Sequence, residues 1–328
     1  MEAENPLHGA ADGTDANTLA RNFIHEAYKN MKETKPKEAL LKLEQALRAD
    51  YTQQEALYAL KCLKWWMERI KNLDNAADAC DPCSRGNFLL SQWKSYYGFL
   101  ERVGNVYDGC QYAVKRFVYG LALRNYQAVL ADGSMRHDPE LLEQVGRCYK
   151  GMGRYEDALD YLKQAVRFKR EDAAAISALA DVYALLGETK AAKALFREAF
   201  FIGPQAVDLH NLESDLILEL VRHVENMGYT GAELREWIPV YGAVLGVFTV
   251  KRELKPSEAG RLKQQIFDLE SELRGSRKDE KILTPALLNR YFRLIDHYEG
   301  SGGGHALIDE IKLKIKIIKP VIFERYMC

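Results

Sequence analysis

The chain has 328 residues, with 46 basic and 47 acidic side chains, a formal net charge of -1 and 47% hydrophobic residues. That length and balance allow two or three domains, or one elongated array, with enough apolar material for a sizeable core. They exclude a global field that would draw the chain to nucleic acid or anionic lipid, so any partner must be chosen by local surface.

In chain order, residues 1–18 (MEAENPLHGAADGTDANT) are acidic and rich in Gly and Ala. They lack the basic start and apolar run of a secretory signal and read as a flexible tail. The strongest apolar stretch, WIPVYGAVLGVFTV from Trp237 to Val250, is too short for the ~20 residues that span a bilayer. A cytoplasmic protein without a membrane span is expected.

The segment LARNFIHEAYKNM predicts a helix carrying Phe23 and Ala27, followed by a second, KPKEALLKLEQALRADY, with Pro36 near its start and Ala39, Leu43 and Ala46 on one face. From Gln54 to Leu130 the pattern stays helical and rich in aromatics. The doublets Trp65-Trp66 and Tyr96-Tyr97 could serve as stacking platforms for a ligand, but aromatics at helical spacing read better as packing between helices. Cys62, Cys80, Cys83, Cys110, Cys148 and Cys328 are too scattered for a disulfide framework. Cys80 and Cys83, in CDPC, have the spacing of half a zinc site, yet no second Cys/His pair follows, and a surface turn with two reduced thiols is the better reading.

The clearest order lies between 137 and 206. An offset of 34 pairs Leu142 with Ile176, Val145 with Leu179, Gly146 with Ala180, Tyr149 with Tyr183, Gly153 with Gly187, Ala158 with Ala192, Leu162 with Phe196, and Ala165 with Ala199. Each unit holds two apolar helical runs around a glycine turn, so each is a helical hairpin. The small residues mark close approach of the two helices, and Gly153 and Gly187 suit a left-handed stop. Asp138-Pro139 starts the first unit as cap and first-turn proline, and Gly203-Pro204 closes the second.

These residues resemble the tetratricopeptide repeat, whose period is 34 residues. The resemblance implies an all-α fold: stacked antiparallel helical hairpins forming a right-handed solenoid, with residues 19–133 as degenerate N-terminal repeats, 137–206 as two clear hairpins and 207–328 as divergent C-terminal helices. Leu19 to Asp50 then reads as one degenerate repeat, with Asn30 where the family usually has an aromatic.

Beyond Pro204 the 34-residue register is lost. VDLHNLESDLILELVRHVENMGY predicts one long amphipathic helix stopped by Gly228. Thr230 and Glu233 form a capping-box pattern for AELREWIPVYGAVLGVF, in which Pro239 sits early. Pro256 opens a helix with a seam of Leu262, Ile266, Leu269 and Leu273 that needs a partner. Thr284-Pro285 reads as cap and first-turn proline of the next helix, which ends at the linker GSGGG, Gly300 to Gly304. The final segment alternates like a strand at KLKIKI, but Ile308, Ile311, Ile315 and Ile318 make a helical stripe and helix is preferred.

No pattern assembles an active site. GSGGG lacks the preceding strand and the lysine of a nucleotide loop, and the seven histidines show no ligand spacing. No enzyme activity, cofactor or metal is expected. The resemblance implies a concave wall made by the first helix of each hairpin, on which a peptide or helix of another protein would lie. Its partner-binding positions are Glu143, Arg147 and Lys150, then Ser177, Asp181 and Ala184, with Asn211 and Asp215 extending them if the next helix stacks on.

Chaperone-tail adaptors of the family hold a carboxylate with Lys and Asn at two inward positions where this chain has Glu143 and Arg147, then Ser177 and Asp181, so that role is not supported. Lys312, Lys316 and Lys319 offer a weaker second contact. The expected role is a scaffold or adaptor. A fixed subunit of a larger assembly, of the secretion or motility kind, is the alternative, with self-association through terminal helices allowed. A helical-repeat nucleic-acid reader is disfavoured by neutral charge and by the period.

Overall fold

The computed structural model describes residues 10–75, 81–133, 135–250, 254–275, 279–301 and 304–327. Among these the regular structure is helical and no strand occurs. The chain divides into two compact units, Met1–Ala158 and Leu159–Cys328. The division falls inside a helix rather than at either end of the paired hairpins.

The first unit contains α1 (Ala10–Lys32), α2 (Pro36–Ala49), α3 (Gln54–Asn75), α4 (Pro82–Ser91), α5 (Trp93–Val103), α6 (Asp108–Asp132) and α7 (Pro139–Gly151), and α8 (Tyr155–Phe168) begins in it. Helix α1 starts at Ala10, inside the segment expected to be a tail; residues 1–9 of that tail lie outside the described residues, as do Cys80 of the CDPC pair and Cys328. The α1–α2 pair has the predicted face, with Ala39, Leu43 and Ala46 fully buried beside Ala27. Trp65, Trp66, Trp93, Tyr96 and Phe99 form one edge-to-face and tilted cluster, which places most of the aromatic doublets in the core. Tyr97 is the exception and is exposed. Cys62, Cys83, Cys110 and Cys148 are free thiols.

The rest of α8 belongs to the second unit, with α9 (Ala173–Leu185), α10 (Thr189–Ile202), α11 (Asp215–Glu225), α12 (Gly231–Val244), α13 (Pro256–Gly275), α14 (Glu280–Gly300), α15 (His305–Ile318) and α16 (Pro320–Met327). Helix α14 is its centre and packs against α12, α13 and α15. Leu287, Leu288, Tyr291, Phe292 and Ile295 are all essentially removed from water, and full burial of such a side chain is worth about 1.5–3 kcal/mol. The seam of α13 finds its partner in α14: Leu262 and Ile266 are buried, with Leu269 and Leu273 packed at the edge of the same core. The ambiguous C-terminal segment is helical, with Ile308, Ile311 and Ile315 buried.

Several boundaries differ from the sequence reading. The long helix predicted from Val207 is cut to Asp215–Glu225, because residues 204–206 and 209–211 form short 3-10 turns. Thr230 precedes α12 as predicted, but its side chain makes no capping hydrogen bond. Helix α12 ends at Val244 because Phe248 turns back and its N–H donates to Gly242 O at 2.8 Å. A side chain on Gly242 would collide with the Phe248 ring. Pro285 lies inside α14, which begins at Glu280. Part of the GSGGG linker, residues 302–303, lies outside the described residues.

Candidate functional site

The site expected from the sequence lies on α7 and α9, and the same backbone devices build both helices. Asp138 accepts the N–H of Leu141 at 2.7 Å. Thirty-four residues on, Asp172 accepts those of Ala174 and Ala175 at 3.1 and 3.3 Å. Each carboxylate thus satisfies N–H groups that a first turn leaves without partners.

The stops match as well. Gly153 N–H reaches Lys150 O at 2.8 Å and Arg154 N–H reaches Tyr149 O at 2.9 Å; Gly187 N–H reaches Ala184 O at 3.0 Å and Glu188 N–H reaches Tyr183 O at 2.9 Å. This nested pair needs a left-handed residue between its two donors, and Gly153 and Gly187 have φ of 74° and 82°. Helix α1 ends identically, with Thr34 N–H on Met31 O and Lys35 N–H on Asn30 O. There Thr34 takes the glycine's place at φ 58°.

The predicted wall positions have unequal fates. On α7, Glu143 and Lys150 are buried, and the Arg147 guanidinium pairs with Glu143 one turn back at 2.8 Å. On α9, Ser177 is buried and its hydroxyl donates to Ala174 O at 2.8 Å. Ala184 is half-buried against the core of its unit.

Asp181 is fully buried. Its carboxylate accepts the N–H of Glu213 at 3.0 and 3.1 Å and of Ser214 at 2.9 Å. The exposed groove position expected at Asp181 is therefore a holder for the chain's own backbone as it enters α11. Asn211 sits in the 3-10 turn before it, not on a stacking helix, and its amide bonds Asp208. Asp215, the first residue of α11, is exposed. Lys319, from the expected second contact, lies over the Trp237 ring at 5.8 Å.

Charge at the caps follows from these contacts. Burial by itself raises the Asp172 carboxyl, but the Lys169 ammonium at 2.8 Å and the Ala174 and Ala175 N–H groups outweigh it and hold the group below its ordinary value. In the first unit, burial pushes the Cys148 thiol up, which keeps it protonated and unreactive. Among the described residues no group of three His, Cys, Asp or Glu side chains is placed to hold a metal ion. No helix among them is long and apolar enough to cross a membrane.

Comparison with known proteins agrees with the repeated hairpin. Residues 149–216 match the family model described as tetratricopeptide repeat, a stretch running from the end of α7 through the first residues of α11. No curated protein matches the chain.

Proposed function

From the tetratricopeptide repeats this chain carries, we propose that it is a non-catalytic protein–protein interaction scaffold or adaptor, acting in the cytoplasm, that receives a peptide or helix of another protein. The observation that supports this reading is the recurrence of cap, helix and stop between α7 and α9 inside the segment matched by the family. Stacked hairpins of this kind present an extended surface.

The contact residues proposed are Arg147 on α7 and, in the second unit, Ala184, Asn211 and Asp215; Glu143 and Lys150 are buried and leave the set. Asp181 and Ser177 have structural roles and leave that set. A photo-crosslinking amino acid placed at Asp215 should capture a partner protein from native lysate, identified by mass, and charge reversal at Asp215 should weaken that capture without changing the melting temperature. Undiminished capture by the folded reversal variant would remove this surface from consideration.

A second reading, a fixed subunit of a larger assembly or a homo-oligomer, has its own observation. On α15 and α16, Leu313, Ile317 and Val321 are exposed, Ile317 to 73%, beside Lys312 and Lys316. Contiguous apolar surface rimmed by charge is characteristic of an interface. Sedimentation of the wild-type chain and of Ile317→Glu decides between them: a wild-type oligomer that the substitution dissolves favours assembly.

A further inference from the structure

The second unit holds a cleft of about 470 Å³ between the α8–α9 connection, α10, the start of α13, and α14. Its floor is apolar, with Phe201, Leu254 and Leu262. Among the described residues its walls carry five cations, Arg170, Lys255, Arg261, Arg290 and Arg293, against three carboxylates. Two of those carboxylates are already engaged. Glu198 pairs with Arg293, and Glu258 accepts the backbone N–H of Lys255 at 2.8 Å, closing the first turn of α13. Glu171, the third, is exposed at the rim.

The cations are less satisfied than the anions. Arg293 is only 3% exposed and its Nε has no hydrogen-bond partner among the described residues, although its guanidinium lies 5.0 Å from the Phe201 ring. Arg290 spends Nε on the Gln265 amide oxygen and Nη1 on Ala286 O, both neutral acceptors. Among the described residues, Arg170, Lys255 and Arg261 have exposed side chains with no ion pair.

A buried guanidinium with an unmet donor is costly. Guanidinium groups around a pocket match the planar or tetrahedral oxygens of an oxyanion. The surplus of two positive charges corresponds to a dianion.

We propose that this cleft binds a phosphate monoester, its oxygens held by Arg290, Arg293, Arg261, Arg170 and Lys255 and its organic part resting on Phe201, Leu254 and Leu262. Burial holds the Arg290 guanidinium below its ordinary value, opposed only by the charge of Glu236; a bound dianion would supply the missing countercharge. None of the contact residues proposed above lines the cleft, and its occupation does not depend on the scaffold reading.

The phosphate can come from a free metabolite or from a phosphorylated side chain of a protein partner. Titration calorimetry on the full chain, with phenyl phosphate as one probe and a pentapeptide centred on phosphoserine as the other, separates the two. Comparable affinities assign the cleft to small phosphate esters, and a peptide preference of about tenfold or more assigns it to a phosphorylated partner.

In either case Arg170→Ala with Arg261→Ala, both exposed, should weaken binding about tenfold at an unchanged melting temperature, and Lys281→Ala, exposed and outside the cleft, should leave it unaltered. Absence of saturable binding by both probes overturns the proposal. So does equal affinity in the double variant.

Discussion

The hairpin that begins with α7 and the one that begins with α9 share a cap, a helix length and a stop, yet the residues one turn before the ends of these first helices are used in different ways. Arg147 pairs with Glu143 of its own helix. Asp181, its counterpart 34 residues on, reaches outside its hairpin and binds two backbone N–H groups of the following segment. The matched features are those the backbone requires, because an unsatisfied helix end costs free energy wherever the helix lies. The unmatched position is a side chain on a face that the backbone leaves free. A repeat therefore preserves its architecture while individual units are diverted to other tasks.

The largest expected effect breaks this comparison directly. Asp181→Ala leaves the Glu213 and Ser214 N–H groups without their acceptor, and Ser214 is only 3% exposed. Since hydrogen bonds to a charged group are each worth about 1.5–3 kcal/mol, losing two should cost the variant about 3–6 kcal/mol in denaturant unfolding. Faster amide exchange should be confined to residues 207–215. A loss below about 0.5 kcal/mol would mean that the carboxylate does not hold the segment.

The next test asks whether the two stops are energetically as alike as they are in geometry. Nothing lies within 4 Å of a side chain added at Gly187, and at Gly153 the nearest atom is the Tyr112 hydroxyl at 3.7 Å. Ala at either position therefore incurs only the left-handed backbone penalty, about 1–2 kcal/mol. Equal melting shifts for Gly153→Ala and Gly187→Ala are expected, and a difference larger than about 0.5 kcal/mol would show that one turn carries a further contact.

The smallest effect concerns the second cap. Because the folded Asp172 carboxyl sits below its ordinary value, its charge contributes stability that is present above the unfolded carboxylate range and disappears as pH falls through the depressed value. Asp172→Asn retains an acceptor without the charge, so it should be less stable than wild type by about 0.5–1 kcal/mol near neutrality. The gap should close in acid. A gap that persists at low pH would assign the difference to geometry instead of charge.

What could be read from the sequence follows the same division. The hairpins, Asp138 as cap, Gly153 and Gly187 as stops, and the buried stripes of α13 and α15 are local patterns that a periodic chain states openly. The Thr34 turn was hidden because a β-branched residue stands where the pattern calls for glycine.

The failures are tertiary. VDLHNLE carries a helical pattern, but the Asp181 carboxylate claims the N–H groups of Glu213 and Ser214 and α11 starts only at Asp215. Pro285 looked like a helix start, yet α14 extends upstream to Glu280. Arg290 and Arg293, set in the run RYFR of a largely buried helix, gave a signal that was available, since two arginines flanking core aromatics need acceptors that local sequence does not supply.

The tie from Asp181 to the start of α11 also fixes the length of the array. In a solenoid each unit offers its exposed face to the next, so copies can in principle be gained or lost by duplication. Here the second hairpin has its face closed by the chain that leaves it. An additional 34-residue copy inserted after Gly203 would separate Asp181 from Glu213 and Ser214 by a whole hairpin, and the carboxylate would stay buried without its donors. Duplication at this boundary is disfavoured from within, because the side chain that would meet a new copy already holds the chain's own backbone.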